Sequence, residues 1–161
     1  MTQRFPMTPA GLQTMRDELR QLREVERPQN VHDIEIALGH GDLRENAEYH
    51  AAKERQAEIA ARMSNLESRI GLAQVIDPES ITSDTIGFGA TVTLTDMDSD
   101  EEIVYILVGE NESDVKAGKI SIAAPLTRAM LGKAAGDEVI VHLPKGDREF
   151  EVVKVEYKRI P

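Results

Sequence analysis

The sequence contains no cysteine and no tryptophan, and aromatic residues make up only 4% of its 161 residues. Without cysteine, the chain has no disulfide framework, thiolate metal site or cysteine nucleophile. So few aromatic side chains argue against a base-stacking platform for single-stranded nucleic acid. Any hydrophobic core must therefore be built from leucine, isoleucine, valine, alanine and methionine.

Long apolar runs and an excess of positive charge are also missing. No stretch approaches the roughly 20 apolar residues of a membrane span, and the opening residues lack the basic-then-apolar pattern of a secretory signal. We therefore expect a cytoplasmic protein that has no membrane partner. Residues 1–75 carry 10 basic and 12 acidic side chains (−2), and residues 76–161 carry 9 and 17 (−8). Free duplex DNA is a poor partner for such a chain.

A long first helix is predicted from Thr8 onward, because Thr8 suits an N-cap and Pro9 suits the first helical position. Its apolar stripe comprises Leu12, Met15, Leu19 and Leu22 and resumes at Val31, Ile34 and Leu38. Pro28 lies between the two parts of the stripe. We interpret it as a kink in one helix and not as a helix end.

A second long helix is predicted from about residue 42 to residue 73, after the interruption at Gly39-His40-Gly41. Its seam comprises Tyr49, Ala52, Gln56, Ile59, Met63, Leu66, Ile70 and Ala73. Steps that alternate between three and four residues are typical of a coiled coil, and the short connection forces an antiparallel arrangement. Residues 1–75 are therefore predicted to form a helical hairpin. At 1.5 Å per residue its arms would be roughly 45 Å long, so the tip should project.

The second half of the chain has the sequence pattern of a small β-rich domain. Residues 76–84 are predicted to form a polar linker, and residues 85–161 contain β-branched and alternating segments: ATVTL, EIVYILV, KISI, DEVIVHL and EFEVVKVEY. Lys145-Gly146 is predicted as a hairpin turn, and Pro125 to Gly132 bound one short helix. The fold class is therefore α+β.

The hairpin tip holds the densest group of polar side chains, with Asp42 and Glu45 three residues apart. One interpretation is a capping box, in which both carboxylates serve the start of the second helix. The other is a site for Mg²⁺, which prefers oxygen ligands but binds weakly to only two carboxylates. In that case a partner must supply the remaining ligands.

The segment HGDLRENAEYHAAKE at this tip, followed in order by FGATVTL, DSDEE, ISIAAPLTRAMLGK and FEVVKVEY, resembles the GreA and GreB family of transcription elongation factors. The resemblance covers nearly the whole chain. It implies an antiparallel coiled-coil hairpin followed by an FK506-binding-protein-like domain that docks at the entrance of a channel in bacterial RNA polymerase. Because the hairpin shows no long run of basic residues, the GreA branch is favoured.

The resemblance also implies a function. The hairpin would enter the secondary channel of RNA polymerase when the enzyme has backtracked and the nascent RNA 3′ end is extruded. Asp42 and Glu45 would help to hold a second Mg²⁺ that is shared with the polymerase, which then cleaves the RNA itself. On this reading the chain is not an enzyme, binds no cofactor when free, and is expected to be a monomer.

Other tip residues take roles by the same resemblance. Asn46 and Tyr49 would position the tip or the RNA, although Tyr49 also fits the apolar seam. The basic residues Arg44, Lys53 and Arg55 would meet RNA phosphates, although each equally fits a solvated helix face. His40 and His50 show no zinc-binding spacing. Leu38-Gly39 departs from the charged residues that family members more often carry there, so the tip geometry could differ.

Two further hypotheses stay open. The protein could occupy the channel and block nucleotide entry without stimulating cleavage, although inhibitory paralogues carry a more acidic tip. It could instead be a binding module or chaperone whose coiled coil is an arm. The last hypothesis predicts that Asp42→Ala leaves activity intact.

Overall fold

The computed structural model describes residues 3–41 and 46–161. They form two compact units, one of residues 12–72 and one of residues 3–11 with 73–161, which we call the hairpin unit and the sheet unit. Residues 3–11 thus group with the sheet unit, although their sequence pattern assigns them to the hairpin. The α+β fold class is confirmed.

The hairpin is built from three α-helical segments: α1 (Pro9–Gln21), α2 (Arg27–Leu38) and α3 (Ala47–Gly71). A π-helical turn, Leu22–Glu26, joins α1 to α2, and in it the Arg27 N–H donates to the Leu22 carbonyl five residues earlier. The helix continues through Pro28, as predicted. Pro28 has no N–H to donate, so the backbone there loses one regular hydrogen bond next to the wider turn.

The two arms run antiparallel. As residue numbers increase along the first arm, the residues of α3 that they contact have decreasing numbers. The cross-helix contacts are Glu18 with Arg62, Glu26 with Arg55, and Asn30 with the Ala52 carbonyl, at 2.7, 2.7 and 2.9 Å. The hydrogen bond from the Arg62 guanidinium lowers the pKa of the Glu18 carboxyl. These exposed ion pairs fix the register more than they stabilise the fold.

The apolar seam is buried where α3 meets the first arm, through Ala52, Ile59, Met63 and Leu66. On the first arm the buried positions are Met15, Leu19, Leu22, Asn30 and Ala37. The prediction of Val31 and Leu38 as seam residues is wrong, because both are exposed. Steps of four and three continued from Leu22 lead to positions 26, 29, 33 and 36. The residue that the π-helical turn adds shifts the last three by one, so Asn30 and Ala37 are buried and Ile34 is half-buried.

Two further details of the predicted second helix are corrected. Gln56 is exposed and lies outside the buried seam. The helix ends at Gly71, and Ala73 begins strand β2 (Ala73–Val75), which pairs in parallel with β1 (Phe5–Met7) in the sheet unit.

The sheet unit contains all five predicted strands in one sheet: β3 (Thr91–Asp96), β4 (Glu102–Val108), β5 (Lys119–Ser121), β6 (Glu138–Leu143) and β7 (Gly146–Glu156). Their order is β5-β4-β3-β7-β6, and every neighbouring pair is antiparallel except β4 with β5. The β6–β7 turn comprises Pro144 and Lys145, one residue earlier than predicted, because Leu143 pairs with Gly146. Gly146 has a φ of 126°, which favours glycine.

One face of this sheet forms the core. Val92, Leu94, Leu107, Val139, Phe150 and Val152 are fully buried there, together with Met130 of the predicted short helix α4 (Pro125–Met130). Residues 76–84, predicted as a linker from their composition, include a 3₁₀ turn at Pro78–Ser80 whose Pro78 is buried. The Ile76 N–H also donates to the Met7 carbonyl at 2.9 Å. This segment therefore packs within the sheet unit.

The predicted N-cap at Thr8 is confirmed, since its hydroxyl accepts from the Gly11 N–H at 3.0 Å. The Glu112 carboxylate in turn accepts from the Thr8 N–H at 3.1 Å, from the Gly109 N–H at 2.9 Å and from the Thr8 hydroxyl. A negative charge at a helix N-terminus is favourable. Gly11 and Gly109 allow this approach, because a Cβ on either would collide with Glu112.

Within the described residues, no helix is both long enough and apolar enough to span a membrane.

Asp96 at the end of β3 links two parts of the sheet unit. Its carboxylate accepts from the backbone N–H of Asp98 at 2.9 Å and forms an ion pair with Arg148. The hydrogen bond from Asp98 and then the one from Arg148 lower the pKa of the Asp96 carboxyl. The ionised Asp96 carboxylate therefore makes its full contribution to stability above the ordinary aspartate pKa of about 4. This contribution is lost as the pH falls through the lower pKa that Asp96 has in the folded protein.

We predict that Asp96→Asn lowers the melting temperature at pH 7, because the variant loses the charge that Arg148 faces. The difference in melting temperature between the variant and the wild type should become smaller as the pH is lowered from about 4. Thermal unfolding followed by circular dichroism between pH 3 and 7 measures this. Asp98→Asn, which removes an exposed carboxylate nearby, is the control. A difference that is independent of pH would contradict the assignment.

Candidate functional site at the hairpin tip

The connection between the two hairpin arms is bounded by the ends of α2 and α3. After Leu38, the Gly39 N–H donates to the Glu35 and Ile36 carbonyls at 3.2 and 3.1 Å, and the His40 N–H donates to the Ala37 carbonyl at 3.2 Å. Gly41 then takes a φ of 88°, which turns the chain away from the helix. Asp42, Arg44 and Glu45, to which the sequence assigns metal and RNA binding, lie outside the described residues.

Asn46 joins the two helix ends with one side chain. Its Nδ2 donates to the Ala37 carbonyl at 2.7 Å, and its Oδ1 accepts from the Tyr49 N–H at 3.0 Å. The first contact satisfies a carbonyl in the last turn of α2, and the second caps the first turn of α3. The ends of the segment that carries the two carboxylates are therefore held together by a single amide.

The N-cap also corrects the predicted start of the second helix. The sequence predicts a helix that starts at about residue 42, whereas α3 begins at Ala47 and its N-cap is Asn46. Asparagine is among the preferred N-cap residues. The signal was therefore present in the sequence, but the capping-box spacing of Asp42 and Glu45 obscured it.

Other described side chains surround this connection. His40 Nδ1 lies 3.5 Å from a Glu48 carboxylate oxygen, and both side chains are exposed. Tyr49 is half-buried, and its ring meets the His50 ring edge to face at 5.7 Å between centroids. No group of three or more histidine, aspartate or glutamate side chains that could hold a metal occurs among the described residues.

Lys53 and Arg55, predicted to meet RNA, lie in the first three turns of α3. The Lys53 ammonium donates to the Gln56 side chain at 2.7 Å. Arg55 forms ion pairs with Glu26 at 2.7 Å and with Glu58 at 3.3 Å. Arg55 therefore has a structural role across the hairpin. Exposed ion pairs typically contribute only about 0–1 kcal/mol, so these contacts are exchangeable for an anionic ligand.

The chemistry available at this site follows from its side chains. The segment between Gly41 and Asn46 contributes two carboxylates, which are hard oxygen ligands that suit Mg²⁺. Two ligands are too few for a cation that prefers six oxygens. The donor set therefore fits a magnesium ion that is shared with a partner, and it does not fit a site that the chain completes alone.

Two family models match the chain. The model described as "Transcription elongation factor, N-terminal" matches residues 5–75, and the model described as "Transcription elongation factor, GreA/GreB, C-term" matches residues 81–157. The first match contains the whole hairpin connection, and the second contains all five strands of the larger sheet.

Curated relatives agree over nearly the full length. A protein of a Nitratiruptor species, described as "Transcription elongation factor GreA", is 51% identical over 160 residues, which cover 99% of this chain and 98% of its own. A protein of a Jannaschia species with the same description is 51% identical over 155 residues, covering 96% and 99%.

Among solved structures, the GreA factor homolog 1 protein of Thermus thermophilus aligns over 96% of this chain and 99% of its own, with 29% identity and a TM-score of 0.44. Because both family models match and the curated relatives are about half identical from end to end, the chain belongs to the GreA/GreB family of transcription elongation factors.

Proposed function

We propose that the protein inserts its hairpin into the secondary channel of bacterial RNA polymerase and stimulates the polymerase's own cleavage of RNA in backtracked complexes. The observation that carries this proposal is the placement of two carboxylates, Asp42 and Glu45, between helix ends that Asn46 ties together. Family membership supports the same conclusion. The chain itself would not be an enzyme.

The length of the hairpin supports this role. Helix α3 has 25 residues, which corresponds to a length of about 37 Å. An antiparallel pair of helices is thin, and the sequence that connects this pair is polar. Such an arm is suited to carrying a few side chains into a narrow channel of a larger partner.

The tip carboxylates would hold Mg²⁺ jointly with ligands of the polymerase. When bound, Mg²⁺ lowers the pKa of a coordinated water and neutralises negative charge that develops on phosphate oxygens. Asp42 and Glu45 would supply two oxygen ligands and so raise the occupancy of a site that is otherwise weakly filled. A factor that binds transiently would thereby switch on a reaction that the polymerase performs slowly alone.

The remaining side chains would position the tip and the RNA. The bonds of Asn46 to the Ala37 carbonyl and the Tyr49 N–H hold the ends of α2 and α3 together. Such preorganisation at the base of the connection would lower the entropy lost on reaching a reactive geometry. Arg44, Lys53 and Arg55 would contact phosphates of the extruded RNA 3′ end. For Arg55 this contact would replace or share its ion pair with Glu26.

We predict that Asp42→Ala and Glu45→Ala each reduce the rate of RNA cleavage in a backtracked complex by roughly 10- to 100-fold, the range over which lost support of a metal site lowers activity. The measurement uses 5′-labelled RNA in a stalled complex with Mg²⁺ and a saturating concentration of the factor. The double variant should lose little more than either single variant, because both side chains serve one ion.

The control is Glu24→Ala, which removes an exposed carboxylate from the π-helical turn, at mid-length of the first arm and away from the tip. It should leave cleavage unchanged. Asp42→Ala that cleaves as fast as the wild type would contradict the proposal and favour a binding module. A wild-type protein that slows nucleotide addition without shortening the RNA would favour the inhibitor.

Variants of Asn46 separate its two contacts. We predict that Asn46→Ala lowers stability by about 1 kcal/mol, the usual value of an N-cap, and also slows cleavage. Asn46→Asp keeps the acceptor for the Tyr49 N–H but loses the donor to the Ala37 carbonyl. It should therefore unfold close to the wild-type temperature and still cleave severalfold more slowly at a saturating factor concentration.

Thermal unfolding and single-turnover cleavage of the three proteins make this comparison. If Asn46→Asp cleaves at the wild-type rate, the bond to the Ala37 carbonyl has no part in the reaction, and Asn46 acts only as a helix cap.

A further inference from the structure

The middle of the hairpin departs from a regular coiled coil in a way that exposes an apolar side chain. The seam of the first arm passes from Leu22 to Glu26, through the π-helical turn, and then to Asn30. As a result Asn30 is 4% exposed inside the seam, whereas its neighbour Val31 is 45% exposed outside it. Single π-helical turns occur frequently at functional sites, and a local conflict between residue type and position is expected there.

Val31 lines a groove on this face of the hairpin with a cavity volume of about 500 Å³. Val31, Ile59, Ala60 and Met63 provide its apolar surface, and Gln56 and Ser64 lie beside them. The groove lies entirely within the hairpin unit. We call it the Val31 groove.

Arginine side chains form a row on the first arm, and the row ends at Arg27, which lines the Val31 groove. Arg16, Arg20, Arg23 and Arg27 recur at steps of four, three and four residues, each one position after a seam residue, and all four are exposed. Arg27 lines the groove directly, and Arg23 approaches Glu67 on its opposite edge at 3.6 Å. No described carboxylate lies within 4.0 Å of a charged nitrogen of Arg20 or Arg27.

We propose that the Val31 groove is a docking site for an acidic segment of RNA polymerase, one that presents an apolar side chain next to carboxylates. The identity of the partner rests on the proposed function. The apolar surface would receive the apolar side chain, and Arg20, Arg23 and Arg27 would pair with the carboxylates. Arginine suits this role because its planar guanidinium binds carboxylates through two hydrogen bonds.

An acidic protein segment fits this surface better than RNA does. Sites for single-stranded nucleic acid combine positive charge with aromatic side chains on which bases stack. The apolar surface of the Val31 groove is aliphatic, and the side chains that line it include no aromatic ring. Docking here would hold the hairpin near the middle of its length. The 12 residues from Arg27 to Gly39 span about 18 Å of helix, which is the distance from this site to the tip.

The test measures binding of the full-length protein, labelled at its amino terminus, to core RNA polymerase without nucleic acid and to a backtracked complex. We expect Val31→Ser and Arg27→Gln each to raise the dissociation constant roughly fivefold in both preparations. The loss for Arg27→Gln should diminish at high salt, because the lost contact is ionic.

Each variant has a matched control. Val25→Ser removes a similarly exposed valine (52%) from the π-helical turn of the same arm, outside the Val31 groove. Arg4→Gln removes one exposed arginine outside the hairpin. Both controls should bind as the wild type does. Val31 is exposed enough that its substitution should leave the melting temperature nearly unchanged, and circular dichroism verifies this.

The outcomes separate this inference from the proposed function. Val31→Ser and Arg27→Gln that bind as tightly as their controls would overturn the docking site even if the wild type stimulates cleavage. If the groove variants bind more weakly only to the complex with extruded RNA, RNA is the occupant of the groove. That result would also overturn the proposed docking site for an acidic protein segment. If the wild type binds and the groove variants bind more weakly, the docking site stands even if Asp42→Ala cleaves normally.

Discussion

Antiparallel packing of two helices through one narrow seam is the constraint on which the hairpin depends. Most of the stability of a helix in a protein comes from packing of its apolar face and not from intrinsic propensity, so each arm needs the other. The buried seam includes Ile59, Met63 and Leu66. Full burial of a side chain of this size stabilises the folded state by about 1.5–3 kcal/mol. Because the seam occupies only one face of each helix, the other faces and the connection remain available for a partner.

The proposed chemistry depends on the two carboxylates in the connection between the arms. Two carboxylates are a poor metal site in isolation, and under the proposed function that weakness would let the factor act only where polymerase supplies the other ligands. Asn46 contributes by joining the end of α2 to the start of α3. The proposed binding surface on the flank of the hairpin and the proposed chemistry at its end are separate, so each can be tested by substitution without the other.

The sequence predicted most of the architecture, because the patterns that carry it are local. Thr8 was identified as a cap from its type and from the proline that follows it, and the five strands were identified from β-branched segments. The placement of the seam beyond Pro28 was predicted wrongly, since apolar type pointed to Val31 and Leu38. A π-helical turn has no sequence signature of this kind, and it moved the seam to Asn30 and Ala37.

Long-range contacts account for the other differences. Glu112 meets the start of α1 across 104 residues of sequence, and no periodicity indicates that contact. The role of Asn46 as the cap of α3 was hidden by a second, equally plausible spacing at Asp42 and Glu45. The arginine row that ends beside Val31 has the same steps of three and four as the apolar stripe, but such a row of charged residues fits an ordinary solvated helix face equally well. The tip carboxylates themselves stay a prediction from the sequence.

The central claim is that the tip carboxylates raise the occupancy of a weakly held Mg²⁺. The most direct measurement is a Mg²⁺ titration of RNA cleavage in one backtracked complex, with and without a saturating amount of the protein. The account predicts that the protein lowers the Mg²⁺ concentration that gives the half-maximal rate. An increase in the maximal rate with an unchanged Mg²⁺ requirement would contradict it.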